Sequence, residues 1–210
     1  MKLQYSVMVY LDSLYLVLSN RKRCKKLLNK HNLTEGDIID TYISLHIILE
    51  VSLNALYRQI ITHQIIKPIS RLEVINNIDK ISFIDKTTLF IYNAHFNFKN
   101  NLDESAIHHK IIEKLRTFSG IRNKLLHGHS VGSISIDENQ PQVTETKKVL
   151  DLNNLKRQLR LFIDINNGLR FFLDHLIIEG SRDNYIKDLK KEYLDYSFIP
   201  EEFNFKENNR

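Results

Sequence analysis

Residues 121–129 read Ile-Arg-Asn-Lys-Leu-Leu-His-Gly-His. Arg122, Asn123 and His127 place a permanent cation, an amide and an imidazole close together in the chain. A guanidinium holds anions through a fork of hydrogen bonds, and an imidazole takes or gives a proton near neutral pH. The set can therefore bind an anion and move a proton beside it. The competing interpretation is a solvated helix end, with His127 near the negative end of the helix dipole and Gly128 as the left-handed cap.

Helical phase separates the two. Ile107, Ile111, Leu115 and Phe118 recur at spacings of three and four and define one apolar face. Extended through Gly120, that face reaches Arg122 and then Leu125. An arginine on an apolar stripe stays charged, so it needs a carboxylate or a bound anion. Asn123 and His127 share a face one turn apart. His129 either assists them, binds RNA or is an ordinary loop histidine.

The carboxylate has a natural source. Residues 37–66 are apolar on nearly every side, which predicts a helix in the middle of a bundle. His46, Glu50 and Asn54 interrupt it at four-residue intervals. They form either a narrow exposed strip or a supporting cluster in which Glu50 meets Arg122.

The surrounding elements are read from periodicity and caps. Residues 3–30 predict a first helix, apolar in its first half and buried, rather than a signal peptide or membrane anchor. Its second half carries Arg21, Lys22, Arg23, Lys25, Lys26 and Lys30. These suit the C-terminal dipole of a solvated helix end. The alternative makes Arg21, Lys22, Arg23, Lys25 and Lys26 a phosphate-contacting, RNA-binding patch. Thr34 or Asp37 caps the second helix. Ser70 and Glu73 have the form of a capping box, and shorter helices are expected at 71–79 and 84–94. The stretch after His129 alternates and predicts a small hairpin turning at Asn139-Gln140-Pro141. Asp151 then caps a last long helix with a stripe of Leu152, Leu155, Leu159, Phe162, Asn166, Leu169, Leu173 and Leu176. Asn166 is its polar break, a register device or a residue facing a polar cleft. Residues 1–180 read as one domain, and 181–210 as a short helix with a polar tail.

Composition agrees with an all-α chain. Only 6 glycines and 3 prolines occur in 210 residues, so long helices meet few breakers. The net charge of +5 leans toward a polyanionic partner. The single cysteine, Cys24, excludes an intrachain disulfide and multi-thiolate zinc sites, and fits a reducing, cytoplasmic setting. Its basic neighbours could lower its pKa, although the thiol reads as incidental. The pairs His108-His109 and His127-x-His129 lack metal-ligand spacing with carboxylates. Neither a nucleophile elbow nor a phosphate loop is present. No cofactor or metal is expected.

Arg122-Asn123-Lys124-Leu125-Leu126-His127, followed by Gly128, resembles the R-N-x-x-x-H signature of HEPN domains. The order of elements over about residues 37–179 is similar as well: an apolar helix with a carboxylate, the motif helix, a small β-like insertion and a long final helix. The resemblance implies an all-α, HEPN-like bundle that dimerises and places two motifs in one cleft. It also implies a metal-independent endoribonuclease, often a toxin or antiviral effector, with RNA as substrate and an antitoxin or other defence protein as partner. Other members keep the fold only to bind nucleotide, RNA or protein. In the enzyme reading His127 is general acid or base, Arg122 stabilises the phosphate, and Asn123 orients the phosphate or the imidazole. The first helix and the tail are not explained by the resemblance.

Overall fold

The structure of the chain is a computed structural model. It describes the backbone of residues 2–63, 77, 80–96, 105–126, 134–137, 140–143, 150–174 and 182–203. Side chains are described for 13–58, 77, 80–91, 110–125, 150–174 and 186–203.

The described chain is all-α. Its six helices are α1 (Lys2–Leu28), α2 (Glu35–His63), α3 (Phe83–Phe96), α4 (Ser105–Leu126), α5 (Leu152–Asp174) and α6 (Arg182–Tyr193). A short 3-10 turn follows at Glu201–Phe203. Strands β1 (Ile134–Asp137) and β2 (Gln140–Val143) pair antiparallel. Gln140 and Pro141 lie within β2, opposite Asp137 and Ile136, so they belong to the strand rather than to a turn.

Local chemistry accounts for the helix starts. Thr34 Oγ1 accepts from the Asp37 amide at 3.2 Å, and Asp37 Oδ2 accepts from the Thr34 amide at 3.0 Å. This reciprocal cap satisfies two donors that the first turn leaves open. Lys30 Nζ also reaches Asp37, at 2.6 Å, and these bonds lower the Asp37 pKa to about 2. Ser82 caps α3 through the Asp85 amide, and Asp151 caps α5 through the Asn154 amide at 2.7 Å. The predicted box at Ser70 and the helix at 71–79 fall outside the described residues, apart from Asn77.

Helix α2 is the hub and packs against each of the other five. Leu45, Ile48, Leu49 and Leu56 are fully buried along it. Each such side chain contributes about 1.5–3 kcal/mol on burial. Helix α5 lays Leu155, Leu159, Phe162, Ile165, Leu169, Phe172 and Leu173 against the same core, all 0 % exposed. Gly168 lets α4 and α5 approach closely: a Cβ there would sit 2.1 Å from Ile111 Cδ1. Asn166 is buried and donates to the Phe162 carbonyl of its own helix at 2.7 Å, so its amide nitrogen is satisfied within α5.

Two expectations are corrected by packing. The first helix is not buried all round. Val17, Cys24, Leu27 and Leu28 face the core, whereas Tyr15, Leu16 and Leu18 are exposed. Nor is the segment 186–203, expected as a short helix leading into a polar tail, separate from the bundle. Ile186, Leu189, Tyr193, Leu194, Phe198, Ile199 and Phe203 are buried in the common core, and Ser52 of α2 donates to the Tyr193 carbonyl at 2.8 Å. An aromatic-rich segment of this kind lowers its free energy by covering the bundle.

Candidate functional site

Helix α2 presents His46, Glu50 and Asn54 one turn apart, and each side chain does something different. His46 is 7 % exposed, and its ring stacks on Phe118 of α4 with centroids 4.2 Å apart. Its Nε2 lies 3.0 Å from the Phe118 carbonyl oxygen. Nε2 must carry the hydrogen to donate there, which leaves Nδ1 as the bare nitrogen. Burial pulls its pKa down to about 4, the bond to Phe118 opposes this, and the nearby Arg122 charge lowers it further. At pH 7 His46 is therefore neutral, with its proton already engaged. It does not fit the role of acid or base.

Glu50 does meet Arg122, as the phase argument expects, but not in a dry core. Arg122 Nη2 stands 3.8 Å from Glu50 Oε2, and the two side chains are 36 % and 43 % exposed. That distance is too long for a hydrogen bond, and an exposed pair of this kind contributes about 1 kcal/mol or less. The stripe is in phase: Ile111, Leu115 and Phe118 are buried, while Ile121 and Leu125 are partly buried against the core. Arg122, between them, is only partly covered by the described residues. Its Nη1 also approaches Asn123 Oδ1 at 3.3 Å, and Asn123 is exposed. The result is a cation with donors turned to solvent, beside an amide.

Asn54 belongs elsewhere. Its Oδ1 accepts from Lys86 Nζ at 2.7 Å, and Lys86 is 3 % exposed in α3. The polar row thus splits, with His46 and Glu50 on α4 and Asn54 on α3. Nothing polar near Lys86 in the sequence signals this contact, although Phe90 one turn later marks its face as the buried one. His127 and His129 lie outside the described residues, directly beyond Leu126.

The basic run on α1 is not one surface. Arg21 is 6 % exposed, on the same face as Val17, Cys24 and Leu28, and so is not a phosphate-contacting residue. Desolvation lowers its pKa, an effect that the charge of Asp195 partly offsets. Its Nε and Nη2 have no hydrogen-bond partner among the described residues. Arg23 pairs with Asp40 at 2.7 Å while remaining half exposed. Lys22, Lys25 and Lys26 are exposed. Cys24 is fully buried, and burial pushes its thiol up to about 12, against any lowering by the cations around it. It is a core residue and not a reactive thiol.

Helix α2, then, contacts the α4 turn ahead of Arg122 through His46 and sets a carboxylate beside the guanidinium through Glu50. Such an end can receive an anion. No family model, curated protein or solved structure matches the chain.

Proposed function

We propose that the chain is a metal-independent endoribonuclease of the HEPN type, acting as a toxin or antiviral defence effector. The observation that carries this reading is Arg122 itself. It stands at the end of α4, more than a third exposed and no closer than 3.8 Å to Glu50, so it keeps donors for a phosphate. His127 follows five residues later in the chain. In the proposed reaction the RNA 2'-oxygen attacks the adjacent phosphorus and the 5'-oxygen leaves. An imidazole removes the 2'-OH proton, and an acid returns one to the leaving oxygen. Arg122 stabilises the extra negative charge of the phosphorane, and Asn123 orients the phosphate or the imidazole. His46 is neutral and already bonded at pH 7, so the proton transfers are assigned to His127 of the motif. A homodimer would supply a second His127, so that one acts as base and the other as acid. RNA contact beyond the motif falls to Lys22, Lys25 and Lys26, and an antitoxin is the expected protein partner.

The test is incubation of the pure protein with RNA in excess chelator. Wild type should cut, and His127→Ala should lose about 100-fold or more. Intact RNA with wild type, or equal cutting by His127→Ala, would overturn the proposal.

A second reading rests on the contacts between α2 and α4. If Arg122 serves mainly to hold Glu50, the chain is a non-catalytic module that binds nucleotide, RNA or a partner protein. Arg122→Ala would then lower stability strongly, as removal of a partner from an essential ion pair does. The long, exposed pair favours the first reading.

A further inference from the structure

We infer that His46 is a positioning residue: through the Phe118 carbonyl it fixes the α4 turn that carries Arg122, and so sets where the guanidinium stands. Its catalytic consequence rests on the ribonuclease reading above, but its structural content does not.

Four observations carry it. The Phe118 carbonyl is the acceptor that helical geometry assigns to the Arg122 amide, four residues on. The same oxygen receives His46 Nε2 at 3.0 Å, using its second lone pair. His46 therefore holds the acceptor end of the bond that closes the turn at Arg122. Second, the His46 ring is stacked on the Phe118 ring, with an interplanar angle of 22°. Phe118 in turn meets Phe162 of α5 at 6.1 Å, so α2 and α5 grip it from two sides.

Third, the packing of α4 loosens just beyond this point. Gly120 has open space where a side chain would be, and Ile121 and Leu125 are only partly buried. A glycine in the final turns of a helix adds backbone freedom, and helix ends fray. Without a tether ahead of Gly120, the position of Arg122 would rest on that looser packing alone. Fourth, Glu50 is one turn along the same face of α2 and reaches the guanidinium at 3.8 Å. One α2 residue holds the backbone turn, and the next biases the charged group that the turn carries.

Two variants separate the hydrogen bond from the ring. His46→Phe keeps a buried ring against Phe118 and removes the donor. His46→Gln restores an N–H near the Nε2 position. In the full chain, His46→Phe should raise amide hydrogen exchange at 121–126 by about tenfold while α5 amides keep their wild-type rates. RNA cleavage by His46→Phe should fall about tenfold in kcat with KM within about twofold, and His46→Gln should recover most of it. Unchanged exchange at 121–126 in folded His46→Phe would overturn the proposal. So would exchange that rises equally across α5, or a His46→Gln no better than His46→Phe in both measurements. If His46→Phe does not fold, wild type still decides the matter by nitrogen-15 spectra of the imidazole. A protonated, slowly exchanging Nε2 with bare Nδ1 at pH 7 supports the tether, and the opposite tautomer overturns it. A wild type that leaves RNA intact removes the ribonuclease reading alone, because exchange and tautomer still report on the tether.

Discussion

The last third of α1 and the end of α4 each carry an arginine, Arg21 and Arg122, in opposite surroundings. Arg21 is 6 % exposed, and two of its three guanidinium nitrogens have no hydrogen-bond partner among the described residues. Arg122 is 36 % exposed by side chain, with Glu50 nearby but not bonded. A buried guanidinium has given up most of its hydration and regains only part of that energy from Asp195. An exposed one keeps its hydration and can exchange it for a ligand. The two sites should therefore separate stability from function, with Arg21 acting on the first and Arg122 on the second.

The largest expected effect lies at α4. Arg122→Ala should lower kcat/KM for RNA by about 100- to 1,000-fold, corresponding to about 3–4 kcal/mol of transition-state stabilisation. Its unfolding free energy in urea should change by less than about 1 kcal/mol, the range of an exposed pair. A large stability loss with little change in activity would reverse the comparison and favour the non-catalytic module.

Next comes acid sensitivity at the α2–α4 joint. His46 titrates at about 4 when folded, against an ordinary value of 6.5. Between those values the unfolded chain binds the extra proton and the folded chain does not. The stability linked to His46 is complete above pH 6.5 and declines as pH falls toward 4, by about 3 kcal/mol in all. Urea unfolding at pH 7 and pH 4.5 should show this decline in wild type and much less of it in His46→Phe. Asp37, held at about 2, adds a separate loss only below the ordinary carboxylate range, since its stability is present above that range and vanishes as pH falls through 2.

Arg21 supplies the opposing case. Arg21→Met keeps much of the buried stem and removes the desolvated charge. It should leave stability unchanged or raise it by up to about 2 kcal/mol, and leave RNA cleavage at the wild-type level. A marked loss of either would show that Arg21 has a partner that matters. The smallest effect is at Gly120, where added volume meets nothing. Gly120→Ala should stabilise the chain by about 0.5–1 kcal/mol through helix propensity, read as a higher urea midpoint.

These contrasts show what the sequence made legible. Caps at Thr34 and Asp151 follow from side chains bonding to amides within one turn, and such local rules need no tertiary context. The stripe from Leu155 to Leu173 is equally direct, because one face of α5 is wholly covered. Arg122 shows the limit. Periodicity puts it on the core side of α4, but it cannot say whether a neighbouring helix extends far enough to cover that position. Arg21 shows the converse. It shares a face with Val17, Cys24 and Leu28 at helical spacing, yet a run of cations reads as a solvated surface. Spacing puts Asn54 on one strip with His46 and Glu50, but α2 passes from α4 to α3 along its length, and sequence spacing cannot register that change of neighbour.

The central claim is that the end of α4 is a phosphate-handling site, with Arg122 presented by α2 and His127 moving the proton. One assay bears on it most directly: RNA cleavage in excess chelator by wild type, Arg122→Ala and His127→Ala, each first shown to be folded. The account predicts that wild type cuts and that both variants lose about 100-fold or more. Wild type leaving RNA intact, or either variant cutting at the wild-type rate, would contradict it.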